Sequence, residues 1–191
     1  MFNASRVPLR EAMSRLHADG LVILRPRRGY AVTMLEAHEI VEVFELRIVV
    51  EEHAALVAAR ARTDADIHDV RAILEQMESL DSAGSTYLYD WARLNSAFHS
   101  RIIESSRRRH LARFARMLRD TVAPYILIEA HLTGDVAAAD TEHREIFEAL
   151  KAGDARSLSE LSRRHVEETF RRLIDGMREH ALRTSPADRG R

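Results

Sequence analysis

From residue 36 to residue 182 the chain carries few glycines or prolines, and its apolar residues recur at helical spacing almost without interruption. Strands joined by tight turns need turn residues every ten residues or so, and this stretch does not supply them. Its apolar faces must therefore be buried helix against helix. The spacing predicts six helices, at 36–61, 64–79, 84–106, 108–132, 136–152 and 154–181. They are separated at Thr63-Asp64, Ser82-Ala83-Gly84, Ser105-Ser106, Thr133-Gly134-Asp135 and Gly153-Asp154. Connections this short put neighbours antiparallel, as in a bundle. With 46% hydrophobic and 31% charged residues, such a bundle can fill a core and solvate its outside. The tail, residues 183–191, reads as disordered.

The first 34 residues are different in kind. Ser5 can cap a helix, and Pro8 falls in its first turn, where a missing N–H is harmless. Leu9, Met13 and Leu16 give that helix one apolar face, and Gly20 suits its stop. LVIL at 21–24 and YAVT at 30–33 read as short strands around the turn Arg25-Pro26-Arg27-Arg28-Gly29. A helix, a stop and a hairpin make the second half of a winged helix-turn-helix. The fold class is thus mainly α: a partial winged helix-turn-helix over 1–34, then an antiparallel six-helix bundle over 35–182.

The net charge is −1, so a nucleic-acid contact must come from a local patch. Arg6 and Arg10 are four apart and share a face at the helix start, placed to enter a major groove. Arg27 and Arg28 at the hairpin tip would reach backbone or minor groove, with Gly29 allowing close approach. Spacing alone fits a solvated basic helix and hairpin equally well.

Ten histidines are present, and six (His17, His38, His68, His110, His131, His180) need only a surface or partly packed position. Three others repay geometry. Asn95 and His99 are one helical turn apart, while His143 and His165 flank the Gly153-Asp154 turn at ten and eleven residues. At a rise of 1.5 Å per residue each lies ~15–17 Å from that turn, so the two would sit level in a hairpin. A third helix bearing Asn95 and His99 would close a site of three imidazoles and one oxygen, suited to Zn, Ni, Mn or Fe. Histidines merely buried and hydrogen-bonded satisfy the same spacing. Arg47 sits in the nearly all-apolar VFELRIVV, where an unpartnered guanidinium is costly. It either pairs with Glu51 one turn on or clamps the carboxylate of an effector.

The absence of cysteine excludes disulfides, zinc ribbons and cysteine nucleophiles. No apolar run reaches the ~18 residues of a membrane span, and the N-terminus lacks a signal peptide's core. The chain reads as soluble and cytoplasmic. His-Glu-x-x-His does not occur, since His143-Arg144-Glu145-Ile146-Phe147 breaks it, and no general base stands out; no enzyme is expected.

SRVPLREAMSRLHADGLVILRPRRGYAV resembles the recognition helix and wing of the GntR family of bacterial transcription regulators. The resemblance rests on Ser-Arg-x-Pro-Leu-Arg-Glu-Ala, the Leu-x-x-x-Gly-Leu-Val turn and the Arg-Arg-Gly wing. It implies that Arg6 and Arg10 contact operator DNA and that Gly29 sits at the wing tip. Residues 36 to about 180 resemble the all-helical FCD effector domain of the FadR-type branch, in its shorter, VanR-like form of six helices. The marks are Asn95-Ser-Ala-Phe-His99, Glu142-His143, Gly153-Asp154 and His165. The resemblance implies a homodimer that binds a small carboxylate effector, with Arg47 helping to hold the acid. It also implies that Asn95, His99, His143 and His165 ligate a divalent metal. A carboxylate is common where Asn95 stands; an amide oxygen is neutral, so metal affinity is expected to be lower. The family's DNA-binding domain has two more helices ahead of this point. Without them Leu9, Met13 and Leu16 have no cover, and the half-domain is expected to be mobile or wrongly packed and to bind operator weakly. The alternative is a truncated regulator fragment that binds effector or dimerises without DNA.

Overall fold

The computed structural model describes residues 9–14, 22–25, 29–32, 35–133 and 136–184. They fall into two compact units, Met1–Ile40 and Val41–Arg191.

In the first unit, residues 9–14 are helical (α1), with Leu9 55% exposed and Met13 half-buried. Strands β1 (Val22–Arg25) and β2 (Gly29–Val32) pair antiparallel, in the register Val22↔Val32 to Arg25↔Gly29. The hairpin therefore sits one residue off its expected place, because Arg25 and Gly29 join the ladder instead of the turn. Gly29 has φ +80°, a left-handed backbone that glycine adopts without steric cost. Ser5, Pro8, Leu16 and Gly20 lie outside the described residues.

The second unit is the bundle. Its helices are α2 (Ala37–Ala61), α3 (Asp64–Glu78), α4 (Tyr87–Glu104), α5 (Arg109–Thr133), α6 (Ala137–Ala152) and α7 (Ala155–Thr184). All six expected helices form, with the largest shift at the start of α4. There Asp81 takes the local donors: its side chain accepts from the Ala83 N–H and its carbonyl from the Gly84 N–H. That turn holds residues 82–86 out of the helix. At the other end α7 runs through Thr184, so the first two residues of the expected tail are helical, and 185–191 lie outside the described residues.

α3 packs on α4 and α6, α4 on α5, and α7 on both α5 and α6. The main core joins Ala58 of α2, Val70 of α3, Phe98 of α4, Ile146 and Leu150 of α6 and Leu158 of α7. A smaller cluster of Ala54, Ile103 and Ala115 holds α2 against α4 and α5. Among the described residues no helix is long and apolar enough to cross a membrane.

Two local devices set the register of the bundle. Thr63 and Asp66 form a capping box at the start of α3. The same buried carboxylate takes Arg107 at 2.6 Å and Arg101 at 2.8 Å, fastening α3 to the end of α4. Between α6 and α7, Gly153 (φ +73°) stops one helix and Asp154 starts the next by accepting from the Ser157 N–H and hydroxyl. A Cβ on Gly153 would collide with the guanidinium of Arg62, which donates to the carbonyls of Ala59 and Lys151.

Candidate functional site

The Gly153-Asp154 turn folds α6 and α7 into a hairpin, and His143 and His165 meet across it with ring centroids 4.9 Å apart. His99 comes from α4, 4.7 Å from the His165 ring and 5.1 Å from the His143 ring. One nitrogen from each of the three rings lies within 4.8 Å of the others, and all three residues are buried. The His99 and His143 Nε2 atoms are 3.2 Å apart. Neighbouring nitrogens around one ion with bonds of about 2.0–2.1 Å are separated by roughly 3.0–3.4 Å, so this pair already has a ligand-to-ligand spacing. Asn95 stands one turn before His99, also buried, and its Oδ1 has no hydrogen-bond partner.

Neighbouring side chains fix the rings from behind. His165 Nδ1 meets Glu142 Oε2 at 2.6 Å, which leaves Nε2 as the free nitrogen. Glu142 is itself held by Arg172 at 2.8 Å. Burial pushes the Glu142 carboxyl up, but the bonds from His165 and Arg172 outweigh it and bring it down to about 2. Behind His143, Trp91 Nε1 donates to Asp140 Oδ1 at 2.8 Å, and that oxygen is 3.9 Å from His143 Nδ1. Burial, then nearby guanidinium and imidazole charge, lowers His99 and His143 well below the usual histidine value. Burial also lowers His165, against the pull of Glu142. Three neutral imidazoles therefore face one point at neutral pH, the protonation state in which histidine binds a metal.

Arg47 is 1% exposed and makes the pair expected with Glu51, Nε to Oε1 at 2.7 Å. Glu51 also accepts from Arg119 Nη1 at 2.8 Å through its other oxygen. Burial raises the Glu51 carboxyl, yet the two guanidiniums outweigh it and keep it low. One carboxylate thus serves two buried cations, and Arg47 Nη1 and Arg119 Nε have no partner. Both arginines line a small cavity together with Asn95, Glu129, His165 and Arg172. Its volume is about 30 Å³, the space of one water in the liquid. A larger occupant enters only as side chains give way.

The structure thus gathers Arg47, Asn95, His99, His143 and His165 in one region of the bundle. Arg119, Arg172 and Glu142 complete it, and sequence reasoning did not assign them these places. A signal for two of them was present: Arg119 lies on the buried stripe of Ala115 and Val122, and Arg172 lies two turns after His165 on the same face. Arg10 is an exposed residue of α1. Arg6, Arg27 and Arg28 lie outside the described residues. His38, His68, His110 and His131 are exposed. His17 and the side chain of His180 are outside the description.

Residues 42–168 match the FCD domain, and residues 1–32 match the bacterial regulatory proteins of the gntR family. The chain is 31% identical over 169 residues to the HTH-type transcriptional regulator YdhC of Bacillus subtilis (strain 168), covering 86% of this chain and 71% of YdhC. It is 29% identical over 168 residues to the HTH-type transcriptional repressor GlaR of Escherichia coli (strain K12), covering 83% and 75%. Its fold is similar to that of E. coli McbR/YncC, with a TM-score of 0.74 at 20% identity over 94% of this chain and 87% of that one. A transcriptional regulator from Rhodococcus sp. RHA1 gives a TM-score of 0.73 at 21% identity, covering 91% and 82%. Histidines gathered in an FCD bundle behind a hairpin of winged-helix type, with these matches along the chain, make it a member of the gntR family of bacterial regulatory proteins.

Proposed function

We propose that this transcriptional regulator senses a small carboxylic acid bound inside its bundle against a divalent metal ion. The reading is carried by the meeting of three buried, neutral imidazoles with two buried guanidiniums whose N–H groups are incompletely used. His99, His143 and His165 would hold the ion, with Asn95 offering its amide oxygen. Zn, Ni, Mn and Fe all suit such a donor set. A bound ion would supply a Lewis-acidic anchor for one carboxylate oxygen.

The chain's own residues do the rest. Glu142, locked by Arg172, orients His165. Glu51 holds Arg47 and Arg119 side by side, so their remaining N–H groups point at one small space and can fork onto a carboxylate. The acid controls transcription only if it binds one arrangement of the protein better than another. Operator contact is assigned to Arg6, Arg10, Arg27, Arg28 and Gly29.

A homodimer fits this role, since paired half-sites call for two readers. On α2, Glu42, Glu45, Leu46 and Val49 form an exposed stripe; on α5, His110, Arg113, Phe114 and Met117 form another. One stripe is acidic and apolar, the other basic and apolar. A two-fold axis would set each against its counterpart in a second copy.

The test is metal and acid binding by the purified chain. After chelator stripping, the wild type should take up one equivalent of zinc and melt at a higher temperature in its presence. His143→Ala should lose both effects, and small organic acids should add stabilisation only to the wild type. Equal, negligible zinc in the two proteins removes the site.

A further inference from the structure

The donor group contains no anion. Among the described residues it comprises His99, His143 and His165 and no carboxylate, and the oxygen nearest in sequence, on Asn95, is a neutral amide. The surrounding acids are committed. Glu142 is bound by His165 and Arg172, Glu51 bridges Arg47 and Arg119, and Asp140 accepts from Trp91. Thr133 Oγ1 lies 3.5 Å from Glu129 Oε1 on the cavity wall. A divalent ion held by three imidazoles and an amide keeps its whole charge. It would also stand in a buried space that Arg47, Arg119 and Arg172 already make positive. Burying an uncompensated charge is costly, and the cost falls on the ion and on the guanidiniums together.

From this we infer that metal and acid bind this chain as a pair, the acid's carboxylate supplying the site's one anionic ligand. The inference rests on the metal-and-acid reading above and adds to it the order of dependence. Neither partner binds tightly alone. By linkage, the factor by which the acid tightens the metal equals the factor by which the metal tightens the acid. Asn95 is the residue that creates this dependence. An acidic residue there would neutralise the ion from within the protein and release it from the acid. With the amide, the sensor answers only when both partners are present.

Zinc affinity of the full chain, measured by competition with a fluorescent chelator, decides the matter. One buffer is free of carboxylates; the other contains saturating sodium acetate, with ionic strength matched by sodium perchlorate. Acetate should tighten zinc binding about tenfold or more. Asn95→Asp should tighten zinc by a similar factor without acetate, and should shrink the acetate effect to about threefold or less. Circular dichroism shows whether that variant is folded, and the acetate effect on the wild type needs no variant. Zinc bound equally tightly with and without acetate, and lost in His143→Ala, overturns the pairing while leaving the metal site standing. Zinc absent from wild type and His143→Ala alike, in both buffers, overturns the site itself and the pairing with it.

Discussion

The Glu142 carboxylate accepts from His165 Nδ1 through one oxygen and from Arg172 through the other, and it is the group that sets which way the His165 ring faces. Replacing it with glutamine keeps the volume and removes the charge that fixes the tautomer. Glu142→Gln should weaken zinc binding by about 10–100-fold, read by chelator competition, while the melting temperature of the metal-free protein changes far less. Asp66 acts through the same kind of bonding for a structural end. Burial raises its carboxyl, but the Thr63 cap and the Arg101 and Arg107 guanidiniums outweigh that and hold it below its ordinary value. A carboxyl lowered on folding stabilises the fold above its unfolded value of about 4, and the contribution is lost as pH falls through the folded value. Asp66→Asn should therefore cost about 2–3 kcal/mol in urea denaturation at pH 7, with the gap to wild type closing below about pH 4.

At the scale of elements, the α6–α7 hairpin is what brings His143 level with His165, and it depends on one backbone conformation. Gly153→Ala places a side chain at φ +73° and against Arg62. It should destabilise the bundle by more than about 1 kcal/mol and weaken zinc binding as well, since the hairpin carries two of the three rings. This hairpin was legible in the sequence because its stop and start residues are adjacent and the histidine offsets on either side nearly equal. The six helices were legible because so little interrupts them. The start of α4 was not, since the turn is made by Asp81 capturing local N–H groups and Thr86 makes no side-chain cap. Arg119 and Arg172 were hidden among many arginines. Most of these, such as Arg144 and Arg163, are solvated helix-surface partners of glutamates, and only packing separates the buried two from them. Arg47 stood out because its neighbours are apolar. Even so, the second cation on Glu51 could not be read from α2, because it arrives from α5.

For the molecule as a whole, assembly and sensing meet on the same pair of helices. The exposed stripe of α2 and that of α5 lie on the helices that Glu51 and Arg119 join. Phe114→Asp should convert the proposed dimer to monomer in light scattering. Arg113→Glu should weaken the dimer less, and more so at low salt, where attraction to Glu42 and Glu45 counts most. A Phe114→Asp protein that stays dimeric moves the interface elsewhere. The run of α2 from Ala37 to Ala61 has one more consequence. Its first turn belongs to the unit that ends at Ile40, and about two turns later the same rod carries Arg47. Neither glycine nor proline interrupts it, so it has no joint at which a rotation could be absorbed. An acid that draws the Arg47 guanidinium away from Glu51 pulls on a crank whose other end is already outside the bundle.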